Sequence, residues 1–216
     1  MERKQAGFTL VEIAIVLVII GLLLGGILKG QEMITQAKIK NVIADFSGIA
    51  AAYHGYQDRY RKMPGDDNQA HSRWNVAGIS GNGDGVVAGK YNSATATDES
   101  RRWWDHLRRA GFVSGTGDNQ PINASGGIVG VQTGDAASPP AAALGSMFGA
   151  IVCSSSISDK IAIALDTQMD DGDATKGTVR GQKHITADPK PDISATTPSE
   201  NYQETGTNVY TVCRTF

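Results

Sequence analysis

Asp166, Asp170, Asp171 and Asp173 crowd the turn MDDGDATKG and the residues just before it. Carboxylates gathered on a tight turn are the oxygen-rich surroundings that Ca²⁺ selects, and Asp170, Asp171 and Asp173 are the candidate ligands. The spacing fits no EF-hand, because a glycine in sixth place would need acids at Thr167 and Met169. A plain turn with a helix C-cap is the competing reading. Asn82-Gly83-Asp84-Gly85 is a second oxygen-rich turn; aligned on Gly85 it puts Ser80 first and Tyr91 last, again no EF-hand. Arg101, Arg102, Arg108 and Arg109 flank Trp103 and Trp104, a combination that can stack on nucleic acid. The alternative puts Trp103 and Leu107 in the core and the arginines in solvent. His54, His71, His106 and His184 form no HExxH pair, and there is no CxxC, GxSxG or P-loop. Gly83-x-Gly85-x-x-Ala88 matches a degraded dinucleotide fingerprint, with no strand before it and no helix after it. These residues describe no enzyme.

The chain has 216 residues, a net charge of −2 and 26 glycines, with 19% of residues charged. Near-neutrality excludes a global field that would draw nucleic acid. The length suits one domain with an appendage, or two small domains. The averages conceal one run, residues 8–28, FTLVEIAIVLVIIGLLLGGIL, in which Glu12 is the sole charge. About 20 helical residues cross a bilayer core of ~30 Å, so this run can span it once. Residues 1–7, MERKQAG, carry Arg3 and Lys4 and end in small residues, but they precede the apolar run, whereas a secretory signal is cut after it. A cut at Gly7 would leave the apolar helix on the mature chain. An uncleaved anchor is the simpler alternative, and Lys29, Lys38 and Lys40 offset the basic leader as a guide to orientation.

Beyond Lys29 the apolar residues thin to Ile39, Val42, Ile43, Phe46, Ile49, Ala50, Tyr53, Tyr56 and Tyr60, at helical spacing, with no proline before Pro64. The spacing predicts one helix over 8–60: a membrane or assembly part at 8–28 and an amphipathic continuation at 29–60, with a head at 61–216. Gly21/Gly25 and Gly26/Gly30 are small-xxx-small pairs that let helices approach closely, although glycine is also common in membrane helices. Glu12 is expensive in hydrocarbon, by about 3 kcal/mol at mid-bilayer. It either snorkels near the helix start or meets a charge from another subunit. A cut after Gly7 would supply that charge as the new amine of Phe8, and a mismatched register would strand it.

Gly7-Phe8-Thr9-Leu10-Val11-Glu12 followed by the apolar run resembles the class III signal of type IV pilins and of the pseudopilins of type II secretion. The resemblance implies cleavage after Gly7, N-methylation of Phe8 and a role for Glu12 in assembly. It implies a structural filament subunit in the bacterial inner membrane with a periplasmic head, later part of an extracellular or periplasmic filament. Its implied partners are identical or homologous subunits, the prepilin peptidase/methyltransferase and an inner-membrane platform protein. Nucleic acid is a partner in some systems of this kind. Lys29-Gly30 stands where many major pilins and core pseudopilins carry a proline, which points to a minor pilin. A pseudopilin of a secretion system is the alternative, and an uncleaved, anchored periplasmic binding protein is a more distant one.

In the head, Pro64-Gly65 ends the long helix and a loop rich in Gly, Asn and Asp follows to about Thr97. Ser100 is the expected cap of a short helix that Gly111 ends. Residues 126–132, 150–153 and 209–213 read as strands, and 158–169 fits either a helix or a strand. The expected class is α+β, a long helical spine packed on a small antiparallel sheet. In a periplasmic head Cys153 and Cys213 would be joined, as in the C-terminal disulfide-bounded loop of many type IV pilins; two separate buried thiols are the alternative.

Overall fold

Helix α1 runs Leu10–Tyr60 without interruption. The structure, a computed structural model, describes residues 9–135, 143–184, 193, 197, 198 and 200–216. The chain divides into two units, Met1–Ala37 and Lys38–Phe216. In the first, every described residue from Thr9 to Lys29 is exposed, apolar side chains included. In the second, α1 buries Ile39, Val42, Phe46, Ile49, Ala52, Tyr53 and Tyr56, one stripe at steps of three and four.

The remaining elements are α2 (Ala70–Trp74), α3 (Glu99–Arg109), β1 (Val129–Thr133), β2 (Ala150–Ser158), α4 (Asp159–Met169), β3 (Val179–Lys183) and β4 (Val209–Thr215). The strands form one antiparallel sheet in the order β1-β2-β4-β3. The long helix packs against this small sheet, an α+β architecture. Alternation along the strands gives the sheet two apolar faces. Val129, Val131, Val152, Val179, Tyr210 and Val212 share a core with α1, α3 and α4. Ile128, Ile151, Cys153 and Cys213 join Tyr91, Leu144 and Met147 in a second core. The Tyr53, Trp103 and Phe216 rings touch one another, with the Tyr53 centroid 5.3 Å from that of Trp103 and 4.7 Å from that of Phe216 and the latter two 5.5 Å apart, so α1, α3 and the residue after β4 meet in one aromatic cluster. Cys153 and Cys213 are directly paired across β2 and β4 and form a disulfide.

Several local expectations change. Within residues 158–169, Ser158 ends β2 and Asp159–Met169 resolve as helix α4 rather than a strand, with Ile161 and Leu165 reaching the core from one face. The first strand begins at Val129 rather than at residue 126, since Asn123 folds the preceding segment into a turn by accepting the Ser125 and Gly127 N–H groups. The second strand extends to Ser158 through a bulge between Ser154 and Ile157. Asp98, not Ser100, occupies the N-cap position of α3, and Ser100 is buried one residue inside the helix. Strand β3 stands beside the strands expected from the sequence as a further one. Its centre is Gly181, where an added Cβ would lie 2.4 Å from the Tyr202 ring, so an aromatic from another segment occupies the place of a strand side chain.

Candidate functional site

Thr9 and Glu12 begin α1 with a reciprocal cap. The Thr9 backbone N–H and hydroxyl each donate to Glu12 Oε2 at 2.8 Å, and the Glu12 N–H donates to Thr9 Oγ1 at 3.3 Å. This is the T-x-x-E capping box, which satisfies orphan donors at a helix start. It also gives Glu12 two hydrogen-bond donors within its own chain, which lowers the cost of a carboxylate in apolar surroundings. Thr9 and Glu12 stand three apart, the spacing of the capping box in sequence. Gly7 and Phe8 lie outside the described residues. Around and beyond Glu12, Val11, Ala14, Ile15, Val18 and Ile19 form an uncovered apolar surface. A Cβ added at Gly21, Gly25, Gly26 or Gly30 would meet nothing within 4 Å, so these positions are open to close approach by another helix. The helix is long and apolar enough to cross a membrane by length and composition, and none of its most apolar window is buried.

The aspartates at the end of α4 divide between two tasks. Carboxylate oxygens of Asp166, Asp170 and Asp171 lie within 4.8 Å of one another. Asp173 is not of that group: it accepts the Thr175 N–H and hydroxyl and pairs with Lys176 at 2.9 Å, and these donors hold its carboxyl down to about 2. A cation here would therefore meet Asp166, Asp170 and Asp171, not the triplet Asp170, Asp171 and Asp173. Donors already engage this group. Asp166 accepts from the Gly172 N–H and the Tyr202 hydroxyl, both at 2.8 Å. Asp170 accepts from the Thr178 N–H and hydroxyl and from the Val179 N–H. Burial raises the Asp166 pKa, while the Val179 and Thr178 donors lower that of Asp170. The Gly181 N–H goes to the Ala174 carbonyl. This loop thus occupies N–H groups of β3 that lie at the border of the sheet, a structural role that leaves the strand less able to pair with another chain.

The Asn82–Gly85 turn is held from a distance. Asp66 accepts the N–H groups of Gly83, Asp84 and Gly85, and Glu99 accepts those of Asn82 and Ala88. Asp66 and Glu99 are buried, which raises the pKa of both. Oxygens of Asp66, Asp84 and Glu99 lie within 4.8 Å of one another. Sequence reasoning found the turn but not its two acceptors, because both lie more than a dozen residues away along the chain. Gly65 makes the closure possible. It adopts φ +81°, and an added Cβ would lie 2.4 Å from the Glu99 carbonyl oxygen.

The arginine–tryptophan helix is not a stacking platform. Trp103 and Trp104 are fully buried. The arginines are engaged rather than free in solvent: Arg101 pairs with Asp118, Arg102 donates to the Ser80 carbonyl, Arg108 donates to the Ser114 and Gly117 carbonyls, and Arg109 pairs with Asp105 at 2.7 Å.

Residues 3–28 match the family model described as the prokaryotic N-terminal methylation motif. No curated protein matches the chain. Among solved structures, the major type IV pilin PilA1 from Clostridium difficile is similar over 83% of this chain and 96% of that chain, at 12% identity and a TM-score of 0.35.

Proposed function

We propose that this chain is a structural subunit, a minor pilin, of a type IV pilus filament. The observation that carries the reading is the methylation motif over residues 3–28, lying on an apolar helix whose sole charge between residues 8 and 28 is Glu12. The precursor is cut after Gly7 and methylated on Phe8. Residues 8–28 hold the subunit in the inner membrane before assembly, residues 29–60 continue the spine, and residues 61–216 form the periplasmic head. In the filament the apolar surface left uncovered on α1 is buried against neighbouring subunits, which gains roughly 25 cal/mol per Å² of apolar area. Glu12 pairs with the amine of a neighbouring Phe8 and sets the axial register. The partners are like subunits, the peptidase/methyltransferase that matures the chain and a platform protein in the inner membrane.

Exchanging Glu12 for alanine tests this assignment. Processing stays normal, because Glu12 lies beyond the cut, while the amount of this subunit found in sheared filament falls at least about tenfold, the factor that ~1.4 kcal/mol of lost subunit attraction produces. Unchanged incorporation of the Glu12→Ala subunit would contradict the register role.

A further inference from the structure

His106 is fully buried on α3, and both of its ring nitrogens are committed. Nδ1 lies 2.9 Å from the Gly65 nitrogen, which can only donate, so Nδ1 carries no proton. Nε2 lies 2.8 Å from the Ile79 carbonyl oxygen, which can only accept, so Nε2 carries the proton. One neutral imidazole thereby ties two points of the segment that follows α1 to the side of α3. The ring stacks on Tyr56 of α1 at 6.1 Å and tilts against Trp74 of α2 at 5.7 Å. The charged groups around it are Asp67 from the turn after α1, and Asp105 and Arg102 from α3 itself.

We propose that His106 is a proton-sensitive latch: neutral, it clamps Gly65 and Ile79 to α3; protonated, it releases the segment between them and uncovers the ring faces of Tyr56 and Trp74. Protonation sets an Nδ1–H donor against the Gly65 N–H donor, and it places a cation in a buried site. Asp67 and Asp105 favour that cation, but each already serves a partner: Asp67 accepts from Tyr56 and Arg73, and Asp105 accepts from Arg109. Burial opposes it first, and Arg102 adds repulsion, so the His106 pKa lies below its ordinary value. Release spreads beyond the clamp, because the neighbouring Asp66 holds the Gly83–Gly85 turn and Asp67 holds Tyr56. The device belongs to the head and does not depend on filament assembly.

The sign follows from linkage. The closed form takes up the proton less readily than the open form, whose histidine titrates near 6.5. Closure is fully favoured above that value and weakens as pH falls below it. The measurement is amide hydrogen exchange across residues 65–79 of the full chain in detergent, corrected for the intrinsic pH dependence of exchange. Between about pH 7.5 and about pH 5, protection falls in the wild type by up to about 30-fold, the ceiling that linkage sets for one histidine. In His106→Gln, which does not titrate, the fall is much smaller. Ring ¹⁵N shifts of the wild type supply an independent reading: one of the four histidines holds the Nε2–H tautomer and stays neutral below about pH 6.5. Equal losses of protection in the two proteins would assign the effect to the carboxylates. Unchanged protection in the wild type, or an Nδ1–H tautomer assigned to His106, would overturn the latch; the last two results decide the matter even where the variant does not fold.

Discussion

Replacing Cys153 and Cys213 together by alanine lowers the unfolding free energy of the head by about 4 kcal/mol. The bond joins residues 60 apart in sequence, and closing a loop of that size removes about 4 kcal/mol of entropy from the unfolded chain. Its position makes the effect full rather than partial. Both sulfurs are buried, and the two cysteines are already register partners in β2 and β4, so the crosslink fixes a pairing that the sheet itself prefers. Strand β4 is central, with β2 on one side and β3 on the other, so freeing it loosens both neighbours. For a chain of this size the loss lowers the melting temperature by roughly 10 °C. Thermal unfolding of the wild type and the double variant checks it. A difference below about 1 kcal/mol would mean that the unfolded chain is already held near that closure without the bond.

The second large effect is at Asp67. Its side chain is fully buried, accepts the Tyr56 hydroxyl at 2.7 Å and the Gln69 N–H at 2.8 Å, and pairs with Arg73. Burial pushes its pKa up, but the Tyr56, Arg73 and Gln69 donors outweigh burial and leave it below the ordinary carboxylate value. Alanine here removes the acceptor of the Tyr56 hydroxyl proton and the carboxylate partner of a mostly buried Arg73, a loss of about 3–5 kcal/mol. Asparagine keeps the shape and can accept the Tyr56 proton, so Asp67→Asn loses less. The pH dependence follows from the lowered pKa. The carboxylate's contribution is complete above about pH 4, the unfolded value, and disappears as pH falls through the lower folded value. Denaturant unfolding across that range shows it, and an Asp67→Ala protein as stable as the wild type would remove the pair from the account.

What the sequence disclosed tracks how local each signal is. The spine was legible because Ile39, Val42, Phe46, Tyr53 and Tyr56 repeat at helical spacing over many turns. Strands β2 and β4 were legible from runs of large apolar residues, Ile151–Val152–Cys153 and Tyr210–Val212. Strand β3 was not, because Gly181 has no side chain and its surroundings are completed by Tyr202. The segment after α1 read as loop because its order comes from single acceptors placed far away. Asp66 and Glu99 hold the Asn82–Gly85 turn, and the imidazole of His106 holds Gly65 and Ile79. None of these pairs has a periodicity to detect. At the helix start the reverse holds: Thr9 and Glu12 stand three apart, so their cap was present in the sequence as a short-range motif.

The proposed function rests on maturation of the chain as a filament subunit. Intact mass of the protein extracted from membranes of cells with an active peptidase tests it most directly. The account predicts a chain that has lost residues 1–7 and gained one methyl group, with fragmentation placing the methyl on the amine of Phe8. A full-length, unmethylated chain from those cells would contradict it, and would make α1 an uncleaved anchor for the head.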